Sequence, residues 1–449
     1  MVSLPAMPQF TFIHAADLHL GAPFKGLDAA ASGTFSLSGR EGNLLAEAGF
    51  TALRRLEFAC KDHNAAFLIL SGDIYDDKDG VLHARFALRD MFLRLQELGV
   101  LVFIAHGNHD PLQSGPPPVA WPDNVTVFGK EVSAKHVVRD DLPLALVKGI
   151  SHTNPRETEN LALWFRQQGQ DDLLTEVPNG VSPDIFRIAV LHCAVGGAGE
   201  GHAPYAPCTL SDLTDAGMDY WALGHVHQGK TLCNAPAVVY PGSLQGLHIN
   251  ETGRHGCCVV QVDGKTCAVK HLPLASVIWE KLPFVVTDAM ETLDVLEEAI
   301  LAALMAEAGE RQGTDFLFCR IILEGATPLD TELRRPGSLE TLLDRLREEQ
   351  ALNNGTTRVW IKDLRLATSP ARDFAVLSER DDLVGEIVRM AASMMETPTK
   401  ANEVVVRAIA PLNGNPKLKK ILAESGEFCP DALPDEAKSL LCSLLEGGE

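Results

Sequence analysis

Five short polar motifs stand in order in the first half of the chain, and each contains side chains that bind divalent metals. They offer carboxylates, imidazoles and one amide, with no thiolate among them. A site for two ions needs one carboxylate that bridges the ions and several further ligands for each, and this set could supply both. The motifs are D-L-H (17–19), G-D-I-Y-D (72–76), G-N-H-D (107–110), the single His192, and G-H-V-H (224–227).

The spacing within the motifs favours shared ions. Residues two apart at the end of a strand point to the same side, so Asp17 and His19 could bind one ion. The same spacing would aim His225 and His227 at one metal centre. Three motifs also place a glycine before a candidate ligand, where the missing Cβ lets the backbone turn sharply and approach the ions. These glycines are Gly72, Gly107 and Gly224.

Each residue alone is weak evidence, because most histidines are hydrogen-bonded core or surface residues. His192 in particular has no motif around it and is marked only by its place at a strand end. G-N-H-D directly after a five-residue apolar run is a stronger signal, and all five motifs in order argue against coincidence. The remaining histidines lack this support and are interpreted as structural or undecided, among them His14, His63, His83, His106 and His152.

Apolar runs place the motifs at strand ends. Short apolar runs with helical stretches between them are typical of alternating strands and helices. A helix is predicted at about 44–62, where apolar residues recur at helical spacing. Segments 237–246 and 256–264 look like closing hairpin strands. The other predicted strands are 10–14, 67–70, 101–105, 145–149, 188–192 and 220–223, and together these elements predict an α/β fold, a β-sandwich flanked by helices.

The pattern changes after about Pro273, where a strand, helix, strand, helix, strand order begins. This order predicts a small α+β cap-like domain over 274–369, after a first domain over 1–273. Residues 370–449 are predicted to form a helical C-terminal region that contains the turn P-L-N-G-N-P. The predicted cap elements are strand 279–286, helix 288–308, strand 316–324, helix 338–350 and strand 357–368.

Length and composition limit the class of protein. With 449 residues the chain is long enough for two or three domains, and 46% hydrophobic residues suit a globular protein. A cytoplasmic location is expected, because neither a secretory leader nor an apolar run of membrane length is recognised. The ten cysteines form no C-x-x-C pair and are interpreted as reduced core residues.

The chain is acidic, with a formal net charge of −21. General attraction to a phosphate backbone is therefore absent, which counts against a non-specific DNA-binding protein. A nuclease is not excluded, because bound metals and a local basic groove could supply a positive field.

The motifs resemble those of the calcineurin-like metallophosphoesterases, and within them the SbcD and YhaO type of DNA repair nuclease. The resemblance covers about residues 10–245, roughly half of the chain, and the cap-like domain resembles the family only in size and place. The matching segments are FIHAADLHLG, LILSGDIYD, FIAHGNHDP, VLHC, WALGHVHQ and YPGS.

The resemblance implies a role for each motif residue. Asp73 would bridge two ions, His109 would be the general acid or stabilise the transition state, and Asp110 would orient His109. Some relatives carry a histidine where this chain has Asp76, so the role of Asp76 is left open. One ion would be bound by Asp17, His19, Asp73 and His227, and the other by Asp73, Asn108, His192 and His225.

Charge suggests how such a site would act. Two divalent ions carry more positive charge than Asp17 and Asp73 carry negative charge, and the excess would attract a phosphodiester. It would also lower the pKa of a bridging water, so that hydroxide becomes the nucleophile near neutral pH. Manganese is favoured, because oxygen and imidazole ligands are mixed without sulfur, with iron or zinc as alternatives.

Three functions stay open at this point. A DNA exonuclease or endonuclease in repair or end processing is favoured, because a cap-like domain and a helical tail suit a long substrate. The alternatives are a phosphoesterase for a small nucleotide or phosphoprotein, and a non-catalytic subunit of a DNA-processing complex, against which the intact ligand set speaks. Lys25, Arg40 and Lys78 are candidates for a basic groove along DNA.

The resemblance also implies a protein partner, an SMC-like ATPase of the SbcC or YhaN type. A helix near 382–395 is the candidate docking element, although its apolar stripe is equally typical of the core of a small helical domain. No membrane partner is expected, and a homodimer is left open. The stripe consists of Leu383, Ile387, Met390 and Met394.

Overall fold

A computed structural model of the chain contains two six-stranded sheets and a smaller three-stranded sheet. It describes residues 9–25, 44–76, 81–114, 119–140, 142–167, 185–196, 205–311, 313–349, 357–371 and 374–395. The strands are β1 (Gln9–Ala15), β2 (Phe67–Ser71), β3 (Leu101–Ala105), β4 (Val125–Val127), β5 (Ser133–Arg139), β6 (Leu142–Gly149), β7 (Phe186–His192), β8 (Tyr220–Gly224), β9 (Lys230–Asn234), β10 (Ala237–Tyr240), β11 (Gly256–Asp263), β12 (Thr266–Pro273), β13 (Val277–Val285), β14 (Phe316–Thr327) and β15 (Arg358–Pro370). The α-helices are α1 (Ala48–Asp62), α2 (Val81–Glu97), α3 (Trp164–Gln167), α4 (Leu210–Thr214), α5 (Leu293–Gly309), α6 (Asp330–Leu333), α7 (Ser338–Glu348), α8 (Phe374–Ser378) and α9 (Leu383–Met395).

The two large sheets have matching parallel centres. The first has the order β12-β11-β1-β2-β3-β4, and the second has the order β5-β6-β7-β8-β10-β9. β1 to β4 run parallel, and so do β6, β7, β8 and β10. The carboxyl ends of β1, β2 and β3 therefore share one edge of the first sheet, and those of β7 and β8 share one edge of the second.

A layer of apolar side chains joins these sheets face to face. Alternate residues of β1 point to opposite sides, so Phe12 enters this layer and Ile13 points to the outer side. Phe12 stacks on Phe67 of β2 with ring centroids 4.9 Å apart. Tyr220 of β8, in the opposite sheet, lies edge-on to Phe12 at 5.1 Å.

Helices cover the outer sides of the sandwich. Leu56 of α1 and Phe92 of α2 are fully buried together with Leu68 of β2, on the outer side of the first sheet. On the second sheet Trp221 of β8 is fully buried, and its indole N–H donates to Leu213 O of α4 at 2.9 Å. The predicted fold class, an α/β sandwich flanked by helices, is confirmed.

The third sheet has the order β13-β14-β15, with α5 between its first two strands and α7 between its last two in the chain. This is the element order predicted for the cap-like domain. The described residues pack as two compact units, and borders between these units fall within β13, β14 and β15. The domain boundaries at 273/274 and 369/370 stay predictions. One unit lies within Met1–Leu282, Leu301–Ile321 and Arg347–Asp363, and the other within Pro283–Ile300, Ile322–Leu346 and Leu364–Glu449.

Two helices, α8 and α9, form the described part of the predicted helical C-terminal region. Val384 and Val388 of α9 are buried against α8. Leu383 and Met390 of the predicted docking stripe are instead 59% and 52% exposed. The side chain of Met394 and the turn P-L-N-G-N-P lie outside the described residues. Of the helices that the structure describes, none has the length and apolar character needed to cross a membrane.

Candidate metal centre

The motifs meet where strand ends from both sheets come together. Asp73 and Asn108 follow β2 and β3 of the first sheet, whereas His192 ends β7 of the second. His192 Nε2 lies 3.3 Å from Asp73 Oδ2 and 3.1 Å from Asn108 Oδ1. Parallel strands of each sheet thus deliver their side chains to one shared edge.

A first group of donor atoms consists of Asp17, His19 and His227, all within 4.8 Å of one another. His19 Nε2 is 3.2 Å from His227 Nε2. Asp17 Oδ1 is 4.0 Å from His227 Nε2, and Asp73 Oδ2 is 4.0 Å from His19 Nε2. These four side chains are the set predicted for one ion.

A second group consists of Asp17, Asp73 and His192, with Asn108 beside His192. His225, also predicted for this ion, has its ring centroid 5.4 Å from that of His192, and its backbone N–H donates to the carboxylate of Asp17. The structure therefore brings all seven predicted ligands to one place. Their binding of metal stays a prediction.

The separations and the chemistry of these donors fit divalent ions. Ligand atoms that share one ion at about 2.1 Å lie about 3 to 3.5 Å from each other, and the closest pairs of predicted ligands are 3.1 to 3.3 Å apart. Two facing imidazole nitrogens can share only one proton, whereas both can bind one cation through their lone pairs. Carboxylate, imidazole and amide donors without sulfur suit hard or borderline ions.

The backbone at these positions is in the left-handed region, which residues other than glycine rarely adopt. Hydrogen bonds hold it there, since the N–H of Asp17 donates to Gly72 O and the N–H of His19 to Asp73 O, each at 3.0 Å. Such strain concentrates at functional sites. The φ values are +49° at Asp17, +41° at His19, +51° at Asp73 and +106° at His225.

Two glycines let the chain segments of the site approach one another. Gly72 has a φ of +92°, and a Cβ there would overlap the imidazole of His192. A Cβ at Gly224 would overlap the carbonyl oxygen of Ser71 at the end of β2. The prediction that glycines beside the ligands permit close approach is confirmed at both positions.

Known proteins resemble the chain in both its sandwich and its third sheet. Residues 10–229 match the calcineurin-like phosphoesterase family, and residues 279–369 match the middle domain of metallophosphoesterase YhaO. The uncharacterized metallophosphoesterase YhaO of Bacillus subtilis (strain 168) is 34% identical over 350 residues, which cover 77% of this chain and 79% of that protein. The chain belongs to the YhaO family of calcineurin-like metallophosphoesterases.

Membership of the YhaO family makes the chain a metallophosphoesterase, a hydrolase, and confirms the resemblance inferred from the motifs. Two solved structures are also similar at low identity. The calcineurin-like phosphoesterase YfkN from Bacillus subtilis is 12% identical, with a TM-score of 0.33, over 59% of this chain and 89% of that one. A dimetal phosphatase from Danio rerio is 15% identical, with a TM-score of 0.31, over 60% of this chain and 100% of that one.

Asp76, whose role the sequence left open, contacts two histidines of this metallophosphoesterase. Its Oδ1 lies 2.7 Å from His109 Nδ1 and 2.9 Å from His19 Nδ1. Burial raises the pKa of Asp76, but hydrogen bonds from both histidines outweigh burial and hold that pKa below its usual range. An ionised carboxylate only accepts, so Nδ1 of each ring carries the hydrogen and Nε2 faces other partners. The side chain of His109 is 48% exposed, whereas that of His19 is 6% exposed.

Asp110 does not have the contacts expected of it. Its Oδ1 accepts from the N–H of Gly107 at 2.7 Å and its Oδ2 from the N–H of Ile74 at 3.0 Å. His106 Nδ1 lies 3.2 Å from the same Oδ2. Asp110 therefore ties the G-N-H-D turn to the G-D-I-Y-D segment, and the carboxylate beside His109 is that of Asp76. The expectation was that Asp110 orients His109. In the structure both oxygens of the buried Asp110 carboxylate accept from backbone N–H groups, and Asp76 contacts His109 instead.

Glu251 is a site residue that the sequence did not reveal. Its Oε1 lies 2.5 Å from His227 Nδ1, and its Oε2 accepts from the N–H of Leu247 at 2.6 Å. A carboxylate on the outer nitrogen of a metal-binding imidazole fixes the ring and its tautomer. Glu251 stands in the loop between β10 and β11, where no regular spacing marks it, and its place shortly after Y-P-G-S was the only signal.

The buried charges of the site favour a cation. Burial lowers the pKa of His192, but Asp73 outweighs burial and raises this pKa to about 9. Burial likewise raises the pKa of Asp73, but His192 prevails and holds it well below its usual range. The pKa of Asp17 is raised, chiefly by burial. A proton on His192 thus balances one of two buried carboxylates, whereas divalent ions would balance both.

Proposed function

We propose that this metallophosphoesterase hydrolyses phosphodiester bonds of DNA, as an exonuclease or endonuclease in repair or end processing. The proposal is carried by the exposed His109, held by Asp76 beside the buried metal ligands. Cleavage of a diester expels an alkoxide that needs a proton, and a histidine of fixed orientation can donate one. DNA is favoured by the motifs of the SbcD and YhaO type and by the matched middle domain. An enzyme that acts on a small substrate has little need of such an additional domain.

The side chains of the site would have separate roles in the reaction. Two divalent ions, when bound by the seven predicted ligands, supply positive charge that attracts the phosphate and makes water more acidic. Asp76 accepts from Nδ1 of His109, so that Nε2 of the imidazolium can give its proton to the leaving oxygen. Glu251 accepts from Nδ1 of His227 and keeps its Nε2 directed at the ligand cluster.

Basic residues near the site would meet the DNA backbone. Lys25 is exposed, and its backbone N–H donates to Leu247 O at 2.9 Å, which places it beside the loop of Glu251. Arg40 and Lys78 lie outside the described residues. Lys25 is therefore the described candidate for a groove contact.

Kinetics on matched substrates test the DNA proposal. The full-length protein with manganese should cleave labelled single-stranded or double-stranded DNA with a higher kcat/KM than a cyclic nucleotide or a phosphomonoester, and Asp73→Ala should abolish cleavage. Turnover of a cyclic nucleotide equal to that of DNA would favour the small-nucleotide alternative. If metal-loaded protein cleaved none of these substrates, the non-catalytic alternative would stand.

Manganese is the metal that we propose, because the donors combine oxygen and imidazole without sulfur. Iron and zinc are the alternatives, because imidazole and carboxylate donors also bind them. Metal analysis of protein purified without chelator, followed by activity with each single metal restored, identifies the ion.

We further propose an SMC-like ATPase of the SbcC or YhaN type as partner, docked on the exposed Leu383 and Met390 of α9. Met390→Asp should weaken binding of the purified ATPase, whereas Glu386→Gln on the same helix should not. A homodimer is a separate proposal, which light scattering of the purified protein tests. A cytoplasmic location also stays a proposal, and fractionation of the source cells tests it.

A further inference from the structure

A pocket of about 420 Å³ in the first compact unit has a positively charged wall. Arg55 of α1 and Arg254 of the loop between β10 and β11 line it, and none of its described lining residues is acidic. The chain as a whole carries a net charge of −21. Two arginines without a lining carboxylate therefore mark a local exception, which favours an anionic ligand.

Arg55 is held rigidly at this pocket by backbone carbonyls. Its Nη1 donates to Leu274 O and Ala275 O at 3.1 and 3.0 Å, and its Nη2 donates to Gly313 O at 3.0 Å. A guanidinium has five N–H bonds, so these contacts leave donors for a further acceptor. Asp315 Oδ2 is 3.9 Å from Nη2 and its side chain is 45% exposed, so it neutralises Arg55 only weakly.

Arg254 is exposed and more loosely held. Among the described residues its guanidinium donates through Nη2 to Glu310 O at 3.4 Å. A guanidinium fork matches two oxygens of a phosphate and binds them with two parallel hydrogen bonds. A fixed Arg55 and an adaptable Arg254 together suit a phosphate group that enters from solvent.

One residue separates this pocket from the metal centre. His255, which lines the pocket, has its Nε2 3.2 Å from Glu251 O, and Glu251 in turn contacts His227. Three residues of chain, the interval from Glu251 to Arg254, span at most about 11 Å. The contacts from His255 through Glu251 to His227 therefore place the pocket beside the metal centre, where it can meet a further phosphate of the same strand.

We propose that the pocket of Arg55 and Arg254 binds a backbone phosphate of the nucleic-acid substrate that neighbours the phosphate at the metal centre. This inference rests on the proposed DNA substrate. Inorganic phosphate or a free nucleotide offers the same chemistry, and the experiment separates that source from the strand.

Arg254→Gln and a matched control, Arg54→Gln, test the pocket. Arg54 neighbours Arg55 on α1, is 61% exposed and bonds to Thr51 and Glu47, so its loss removes one surface charge elsewhere. Both changes are made in the manganese-loaded, full-length His109→Ala protein, which should bind DNA with turnover slowed by roughly 10²-fold to 10⁴-fold. Fluorescence anisotropy with a labelled single-stranded oligonucleotide should show roughly tenfold weaker binding for Arg254→Gln, and a salt slope reduced by about 0.7. Arg54→Gln should stay within about twofold of its parent.

A small diester supplies the second readout. In the protein with His109 intact, Arg254→Gln should hydrolyse bis(p-nitrophenyl) phosphate as the unsubstituted protein does, because this diester carries no second phosphate. Equal DNA affinity of the Arg254 and Arg54 variants would overturn the inference. Weaker binding of inorganic phosphate with unchanged DNA affinity would assign the pocket to a free anion and also overturn it. If no protein, including the unsubstituted one, bound or cleaved DNA, the proposed function itself would fail.

Discussion

In the metal-free protein His192 is an imidazolium, with a proton on both ring nitrogens. Burial lowers the pKa of His192, but the carboxylate of Asp73 outweighs burial and raises this pKa to about 9. A metal ion binds only the neutral imidazole. Below pH 9 the ion must displace this proton, so the apparent affinity for manganese should rise with pH up to about 9. Calorimetry at pH 7.5 in buffers of different ionisation enthalpy should detect at least one proton released per protein, because the pKa values of His19 and His227 are raised as well. Release of no proton would contradict the assignment of His192 as a ligand.

His109→Ala should keep the metals and lose most of the catalysis. A positioned proton donor contributes roughly 10²-fold to 10⁴-fold to a rate, so kcat should fall by that factor. Asp73→Ala, which removes the bridging carboxylate, should lose metal and activity together. Metal analysis of both variants checks the contrast, and a metal-free His109→Ala protein would require His109 to be reassigned as a ligand.

Asp76→Asn should weaken the hydrogen bonds that orient His109 and, beside it, the predicted ligand His19. The amide oxygen can still accept from Nδ1 of His109, but this hydrogen bond is weaker than one to an ionised carboxylate, so the ring is held less firmly. We expect kcat to fall by roughly tenfold or more with little change in KM, because Asp76 is a positioning residue for His109. An equal fall for a small diester whose leaving group needs no proton would count against this role, since such a substrate bypasses His109.

The meeting of the motif residues at strand ends was predictable from the sequence. The carboxylates that contact the far nitrogens of the histidines were not. Asp73 and His192 stand directly after apolar runs, and parallel strands bring such positions to one edge. Glu251 lies in an irregular loop, and only the folded chain brings it to His227. The resemblance implied that Asp110 orients His109 and left Asp76 open, whereas in the fold the carboxylate that contacts His109 is that of Asp76.

At the level of elements, the end of β8 passes so close to the end of β2 that residue 224 has no room for a side chain. Gly224→Ala would drive a Cβ into the carbonyl oxygen of Ser71, so the strands must separate. Overpacking of this kind costs about 1 to 3 kcal/mol. Thermal unfolding should show the loss together with weaker metal binding. Gly129→Ala is the control, because a Cβ there meets nothing within 4 Å, and an equal destabilisation by both changes would refute the explanation.

In the two large sheets the central strands were predictable and the edge strands were not, for a physical reason. β2 is buried at every residue and therefore forms a continuous apolar run. β9 and β12 lie at sheet edges and consist of exposed and half-buried residues, so their composition resembles that of a loop. The three strands and two large helices after residue 273 were recovered in order, because their apolar periodicity is regular.

At the level of the whole molecule, bound ions would cross-link the two sheets. Asp17, Asp73 and Asn108 come from the first sheet, and His192 and His225 come from the second. Metal at 100 times its dissociation constant stabilises the native state by about 2.7 kcal/mol. Removal by EDTA should therefore lower the Tm by roughly 3 to 4 °C. Asp73→Ala should show no such shift with EDTA, and an unchanged Tm in the unsubstituted protein would argue against ligands from both sheets sharing an ion.

Cleavage of DNA should depend on salt, although the acidic chain offers no general attraction to phosphate. If Lys25, Arg55 and Arg254 each meet a phosphate, the logarithm of the binding constant for a single strand should fall with the logarithm of salt at a slope of about −2. Titration of a labelled oligonucleotide at several salt concentrations measures the slope. A slope near zero would mean that no such contacts form.

The pairing of β1 with β11 also sets an order of events on the ribosome. β1, whose end leads to Asp17 and His19, emerges first, while its partner β11 ends at Asp263. Synthesis at about 5 to 20 residues per second leaves β1 without this neighbour for roughly 10 to 50 seconds. A nascent chain that stops short of residue 225 carries Asp17, Asp73, Asn108 and His192 but neither His225 nor His227. The full set of seven predicted ligands is therefore available to an ion only after residue 227 has left the exit tunnel.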